Sequence, residues 1–376
     1  MDLTPGQRAV VDHDAGAGPC RVLGGFGSGL STALSARAER LRTEGSRPLL
    51  VHHGSLVGVA VEILRRHGRP VSLLQGDEQV ATVATLLDER LRPVAAEIAA
   101  AVVAFQASFL GDEELRVHAD AAGMTDDAEA LIAITARYLS LLGSRNRVDA
   151  GGALVAASLL LRDPSVLEAE QARFDEVLVD DFQLASFGTN RLVSQLVGPG
   201  GRVTVAGNPD AAVSSEALSS TQALARFDRR FGAALDVRLE GTHRSPGVPT
   251  LRIVENAEEA RSAAAEAIEQ AAGMGIDVGG TAIVTRSAAA SAVGRSWPLV
   301  VVPDATEGRW PAPRPVERWF DTELLHGPDL PDEATRDQRW LELEGRRFGV
   351  ACSRATQFLV VIAEVPVSRF VGALVR

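Results

Sequence analysis

The chain has 376 residues, 46% of them apolar and 23% charged, with a net charge of -11 and a pI near 5.2. That length accommodates two ordinary domains, and the acidic balance argues against broad, non-specific nucleic-acid binding, which depends on neutralising phosphates, while leaving room for a local arginine groove. Cys20 and Cys352 lie too far apart in sequence for a metal-ligand spacing or a disulfide framework, and no apolar run reaches the length of a membrane span, so the default expectation is a cytoplasmic protein with no membrane partner.

Residues 3–12 read as a short helix entered through Thr4 and Pro5. Gln7 on it precedes a glycine-rich stretch, where one side-chain amide can both donate to and accept from an adenine; taken alone, Gln7 reads as an exposed helical residue. An apolar run ending at Leu23 predicts a strand. Glycines follow at 24, 25, 27 and 29, and a helix-compatible stretch opens at Ser31. Strand, glycine loop and helix are the layout of a phosphate-binding loop, in which backbone N–H groups and the positive end of a helix dipole face an anion. Gly24 and Gly29 have the spacing of G-x-x-x-x-G-K-[ST], and Ser31 stands where a magnesium-binding hydroxyl belongs. Leu30 takes the lysine's place. The chain contains no lysine: all 38 basic residues are arginine.

Residues 31–43 predict an arginine-bearing helix, 48–51 a second strand and 55–66 another helix. His52 and His53 are adjacent, so in extended chain they point opposite ways and do not chelate one metal side by side. From about 77 to 172 the pattern is almost wholly helical, with Phe105, Phe109 and Tyr138 as core residues, and it predicts a helical insertion in an α/β domain. Residues 176–184 then form an apolar strand ending in Asp180 and Asp181. Paired acids there suit a magnesium ligand and a water-orienting base, and exposed turn aspartates are the alternative. A third strand at 202–206 runs into Gly207-Asn208-Pro209-Asp210, and a fourth near 237–239 into Gly241-Thr242-His243-Arg244-Ser245-Pro246. The second half predicts strands near 251–254, 281–285 and 299–303, helices at 257–272 and 335–351, and a long irregular connection over 304–334. Arg347 and Arg354 fall two turns apart on one helix face, where an arginine can reach a phosphate from a neighbouring domain or remain solvated.

In their order along the chain, Thr-Pro-Gly-Gln, the glycine loop, Val-Asp-Asp-Phe-Gln, Gly-Asn-Pro-Asp, His-Arg-Ser, Glu-Gly-Arg-Trp-Pro and Val-Ala-Cys-Ser-Arg-Ala resemble the UvrD-like superfamily 1 DNA helicases. The likeness is closest to motors of actinobacterial helicase–nucleases and runs from Leu3 to Phe370. It implies an α/β fold of two RecA-like (P-loop NTPase) parallel-sheet cores that clamp ATP and Mg2+ between them and engage single-stranded DNA. The first core would span 1–240, with its helical insertion at about 77–172. The second would span 241–376, without the usual accessory insertion. Carried over by position, Gln7 would read adenine, and Gly25, Phe26, Gly27, Ser28, Gly29, Leu30, Ser31 and Thr32 would line the nucleotide. Ser31 and Asp180 would hold the metal, Asp181 would stand for the catalytic glutamate, and Arg244 and Arg354 would be the γ-phosphate arginines.

The departures cluster in the chemistry. Leu30 replaces the lysine, Asp181 is one methylene shorter than glutamate, Leu184 replaces an aspartate, and Ala211 replaces the glutamine that senses the γ-phosphate. Ser214-Ser215-Glu216-Ala217 lack base-stacking aromatics, and Ala292-Val293-Gly294-Arg295-Ser296-Trp297 lacks both a lysine and a ribose-binding glutamate. The expectation is therefore a reduced, degenerate helicase homologue impaired in ATP hydrolysis. It would act as a nucleotide- or DNA-binding or scaffold module in DNA repair or recombination, with weak affinity for single-stranded DNA and an active helicase or nuclease subunit as partner. The alternatives are an active translocase that uses an arginine such as Arg21 or Arg37 in place of the lysine, and a decaying gene product.

Overall fold

The computed structural model describes residues 3–374 except 15, 17, 214–221, 245–246 and 316–318. Ser214 to Ala217 and Ser245-Pro246 thus lie outside the described residues.

Eleven strands are described: β1 (Cys20–Gly24), β2 (Pro48–His52), β3 (Ser72–Leu73), β4 (Arg147–Val148), β5 (Glu176–Asp180), β6 (Val203–Gly207), β7 (Leu235–Leu239), β8 (Thr250–Ile253), β9 (Thr281–Ile283), β10 (Trp297–Val302) and β11 (Ala355–Ala363). They form a five-stranded sheet in the order β2-β5-β6-β1-β7, a four-stranded sheet in the order β8-β11-β10-β9, and the small pair β3-β4. Every ladder in them is parallel. The protein is mixed α/β with helices on both faces of its sheets, which explains why β5 and β6 are buried along their whole length and read as unbroken apolar runs.

In the first sheet, Val177, Val179, Val203 and Val205 face Leu56, Val193 and Phe227. On the opposite face Cys20, Val22 and Ala206 meet Ala33 and Leu34, while Leu178 meets Ala38 and Leu41. The strands point their carboxyl ends the same way. The glycine loop after β1, Asp180 at the end of β5 and Asn208 after β6 therefore arrive at one edge, where ligands of open parallel sheets collect.

Between β3 and β4 the chain makes a helical excursion, with helices Asp77–Ala84, Ala95–Ser108, Asp112–Ala122 and Thr125–Ser144. Phe105 and Tyr138 sit in its core as expected. Two features depart from the sequence reading. The β3-β4 pair closes the base of the excursion, so helices Ala150–Leu160 and Pro164–Gln171 follow it, and Ala153, Leu154 and Ala157 pack with Ile63, Leu64, Leu192 and Leu196 of the five-stranded unit. The irregular connection, in addition, is anchored: Phe320, Leu324 and Leu325 bury themselves in the helical core, and His118 Nδ1 lies 2.8 Å from the Leu324 carbonyl oxygen.

The second sheet carries helix Ala257–Gly273 against Leu299, Val301, Val360 and Ile362. Phe348 and Ala351 of helix Glu333–Cys352 meet Val300, Val302 and Val361 on its other face. The longest strand, β11, is central here and was absent from the sequence reading. Only two residues separate it from the end of the helix, too few for a turn signal to mark it. No single helix among the described residues is long and apolar enough to cross a membrane.

Candidate functional site

The glycine loop is held open by backbone that residues with a Cβ rarely adopt. Gly27 (φ +73°) and Gly29 (φ +87°) are left-handed, and Gly29 forms the N-cap of helix Leu30–Thr43. A Cβ on Gly29 would lie 2.1 Å from Gln7 Nε2, and one on Gly27 would lie 2.5 Å from Thr242 Oγ1. Ser28, buried, donates its hydroxyl to the Gly25 carbonyl at 2.9 Å. The turn after β7 crosses over the loop, with His243 N–H donating to the Gly27 carbonyl at 2.8 Å.

Gln7 is not an exposed helical residue. It is buried and completes a capping box: its Oε1 accepts from the Thr4 N–H at 3.0 Å while its own N–H donates to Thr4 Oγ1 at 3.2 Å. Its Nε2 is left facing Gly29 and the cavity. Leu30, at the lysine position, packs against the core around Val10 and Leu34. Neither proposed arginine substitute reaches the loop. Arg37 is buried and makes a bidentate pair with Glu176 at 2.7 and 2.9 Å, and Arg21 makes one with Asp236 at 2.7 Å through each nitrogen.

Asp180 and Asp181 are not exposed turn residues. Asp180 is 2% exposed; its Oδ1 accepts from the Asp181 N–H at 2.9 Å and its Oδ2 has no hydrogen-bond partner. Burial first, and the neighbouring Asp181 charge second, raise its pKa above the ordinary aspartate value, making it a weaker acid, with the Ser31 hydroxyl, the Asp181 N–H and His52 acting in the opposite direction. Asp181 adopts φ +54°, and the buried Gln183 donates to its Oδ1 at 3.1 Å, leaving the other oxygen toward Gly294 across the cavity. Gln183 also accepts from the Asn208 N–H at 3.1 Å, which ties the ends of β5 and β6 together.

The far wall comes from the second sheet. Arg354 lies just past helix Glu333–Cys352 rather than on it. It is buried, and its Nε donates to the Val350 carbonyl at 3.2 Å while its guanidinium lies 5.7 Å from the Phe26 ring centre. Burial and the nearby Arg244 bring its pKa down to about 10, partly offset by Asp181; burial alone lowers that of Arg244. Among the described residues neither arginine makes an ion pair. Arg347, by contrast, turns away to Glu344 at 2.9 Å and to the face of Trp340. Phe26, Ala211, Val213, Val293 and Val350 form an apolar seam beside these charges.

A cavity of about 440 Å³ results, lined by Gln7, the loop from Gly25 to Thr32, both aspartates, Arg244 and Arg354. The sequence-predicted residues therefore meet at one place, with two carboxylates and two guanidiniums around one cavity: Arg244 arrives on the turn that crosses the glycine loop and Arg354 from beyond the last long helix. Sequence reasoning missed His52, whose Nδ1 lies 3.5 Å from Asp180 Oδ2. The available signal was positional: His52 and Asp180 each end a strand, and the register pairs them.

Residues 56–231 match the family model of the UvrD/REP helicase N-terminal domain. No curated protein matches the chain significantly. Among solved structures, that of two coordinating Pif1 helicases on forked double-stranded DNA is 9% identical at a TM-score of 0.27, covering 71% of this chain and 58% of that one. Bacteroides Pif1 bound to single-stranded DNA is 8% identical at a TM-score of 0.28, with 71% and 57% covered. The chain thus spans less than two thirds of those two proteins.

Proposed function

We propose that this protein is a superfamily 1, UvrD-like helicase homologue, with cores at 1–240 and 241–376, that binds a nucleotide between its two parallel sheets and is impaired in hydrolysing it. The observation that carries the reading is the cavity: the glycine loop, Asp180 and Asp181 of the first sheet's edge, with Arg244 on the turn that follows β7, face Arg354 from the second sheet, while Leu30 fills the cationic position with an apolar side chain. The match over residues 56–231 supports the helicase relationship. An affiliation with actinobacterial helicase–nucleases, a scaffold role in repair or recombination, a helicase or nuclease partner, weak single-stranded DNA binding and a cytoplasmic location belong to the same proposal.

In this reading the loop N–H groups and the start of helix Leu30–Thr43 hold phosphates, and Arg244 and Arg354 neutralise the terminal one. A magnesium ion fits the oxygens of Ser31 and Asp180, whose orphaned Oδ2 is the kind of atom that a cation satisfies. Bound there, it would neutralise phosphate charge. Asp181 would orient water, at a reach one methylene short of glutamate. The Coulomb attraction lost with the lysine is about 4 kcal/mol for a charge 4 Å from a phosphate at an effective dielectric of 20, an upper bound before the cost of desolvating the two charges. An arginine substitute is disfavoured by the bonds that hold Arg21 and Arg37 elsewhere.

Steady-state ATPase measured with and without single-stranded DNA tests the proposal. Turnover near background in both is expected, together with nucleotide binding in a direct titration with magnesium. Robust DNA-stimulated turnover abolished by Asp180→Ala would overturn the impaired reading, and tight DNA binding that survives physiological salt would overturn the weak-affinity part.

A further inference from the structure

β2 is an edge strand, and it pairs with β5 in a register that sets His52 opposite Asp180. Partners in register project to the same face, which brings the imidazole to the carboxylate. Two carboxylates and one imidazole meet there: one donor atom from each of His52, Asp180 and Asp181 lies within 4.8 Å of the others. The decisive atom is Asp180 Oδ2. It belongs to a nine-tenths-buried side chain, accepts no hydrogen bond, and faces the imidazole nitrogen at 3.5 Å. A buried carboxylate oxygen left without a partner costs free energy that a bound cation would recover.

The geometry suits coordination. Ligands about 2.0–2.2 Å from one ion stand roughly 3–3.5 Å apart, and the His52–Asp180 pair already has that separation. Asp181 is pinned through one oxygen by Gln183, which leaves its second oxygen available. His52, 62% exposed in its side chain, has room to turn the remaining distance.

We propose that His52, Asp180 and Asp181 form a nucleotide-independent site for a divalent transition-metal ion, in which the imidazole nitrogen selects Mn2+ or Zn2+ over Mg2+. Magnesium takes oxygen ligands and sheds water reluctantly, whereas imidazole is a favoured ligand of the transition metals. The inference builds on the reading of this cavity as a ligand site and changes the donor set from oxygen alone to mixed nitrogen and oxygen.

The test is a Mn2+ titration of the nucleotide-free full chain, followed by loss of the free-ion paramagnetic resonance signal, with Mg2+ as competitor. One Mn2+ per chain is expected, displaced by Mg2+ only at an excess of about tenfold or more. His52→Ala, at the exposed end of an edge strand, is expected to keep the wild-type circular dichroism and to weaken Mn2+ by about tenfold or more. Mg2+ affinity should stay unchanged in that variant. Asp180→Asn is expected to abolish binding of both ions. Equal Mn2+ affinity in wild type and His52→Ala, or no stoichiometric Mn2+ uptake, would overturn the site. A fluorescent ATP analogue titrated into the same protein in EDTA and in Mg2+ separates the two readings. Nucleotide binding without Mn2+ uptake removes the metal site alone, and Mn2+ uptake without nucleotide binding upholds it while removing the nucleotide reading.

Discussion

β5 is five residues long and begins and ends on a buried carboxylate, yet its two ends are built in opposite ways. At the start, Glu176 receives both arms of Arg37 and the Thr204 hydroxyl, the latter at 2.8 Å. At the finish, Asp180 keeps one oxygen with no hydrogen-bond partner and shares its neighbourhood with a second acid. A buried charge that is fully bonded holds elements together, here β5, β6, helix Leu30–Thr43 and, through Arg37, the Val10 and His13 carbonyls. A buried charge left incomplete costs free energy that nothing within the chain returns, which is the expected state of a group that meets a ligand. The same strand thus carries one end closed by bonds and one left open, the end to which the proposed function assigns a ligand.

The sharpest way to break that comparison is at the closed end. Arg37→Ala strands Glu176 as an uncompensated buried charge and is expected to cost about 3–5 kcal/mol in denaturant unfolding. A loss below about 1 kcal/mol would show that the pair is dispensable and the contrast false.

In the same cavity as Asp180, Ala211 is buried in the apolar seam with Val213 and Val350. Restoring a sensor by Ala211→Gln therefore places an amide among apolar side chains, with an expected stability loss of about 1–3 kcal/mol. A neutral outcome in thermal unfolding would mean that the seam opens readily enough to admit a polar group.

Leu30→Lys adds the missing cation beside loop donors set by Gly24 to Gly29. It is expected to tighten nucleotide binding by about tenfold, some 1.4 kcal/mol, without restoring hydrolysis. Groups that act as a unit are non-additive, and Asp181 and Ala211 remain unsuited. Full turnover from this change alone, measured against Asp181→Glu, Ala211→Gln and their combinations, would show that one part only was lost.

The smallest stability effect belongs to Asp180→Asn. This near-isostere removes a desolvated charge at the open end and is expected to leave unfolding within about 1 kcal/mol of wild type or slightly above it, while cation binding disappears. A loss comparable to that of Arg37→Ala would make Asp180 structural after all.

Much of the first sheet was legible because its signals are local. Apolar runs bounded by glycine or by acids mark β1, β5 and β6, and the parallel arrangement forces their carboxyl ends to one edge, so the glycine loop and the two aspartates could be placed together from sequence. The second sheet was less legible, since β11 follows its helix with only Ser353 and Arg354 between. Phe320 and Leu325 looked like connection until the helical block supplied a core for them to enter.

What the chain determined by itself was the inventory: which residues carry charge, which loop has the glycines for left-handed turns, and that the lysine position is Leu30. Pairing was decided by tertiary structure alone. Arg37 resembles any helical arginine until Glu176, 139 residues away, is buried against it, and His52 becomes a neighbour of Asp180 only because β2 and β5 lie side by side. Gln7 closes its own helix start through a side-chain conformation that sequence does not specify. The physical reason is common to all three: hydrogen bonds and ion pairs are directional and short, so their partners are settled only when the sheet order brings distant segments within about 3 Å.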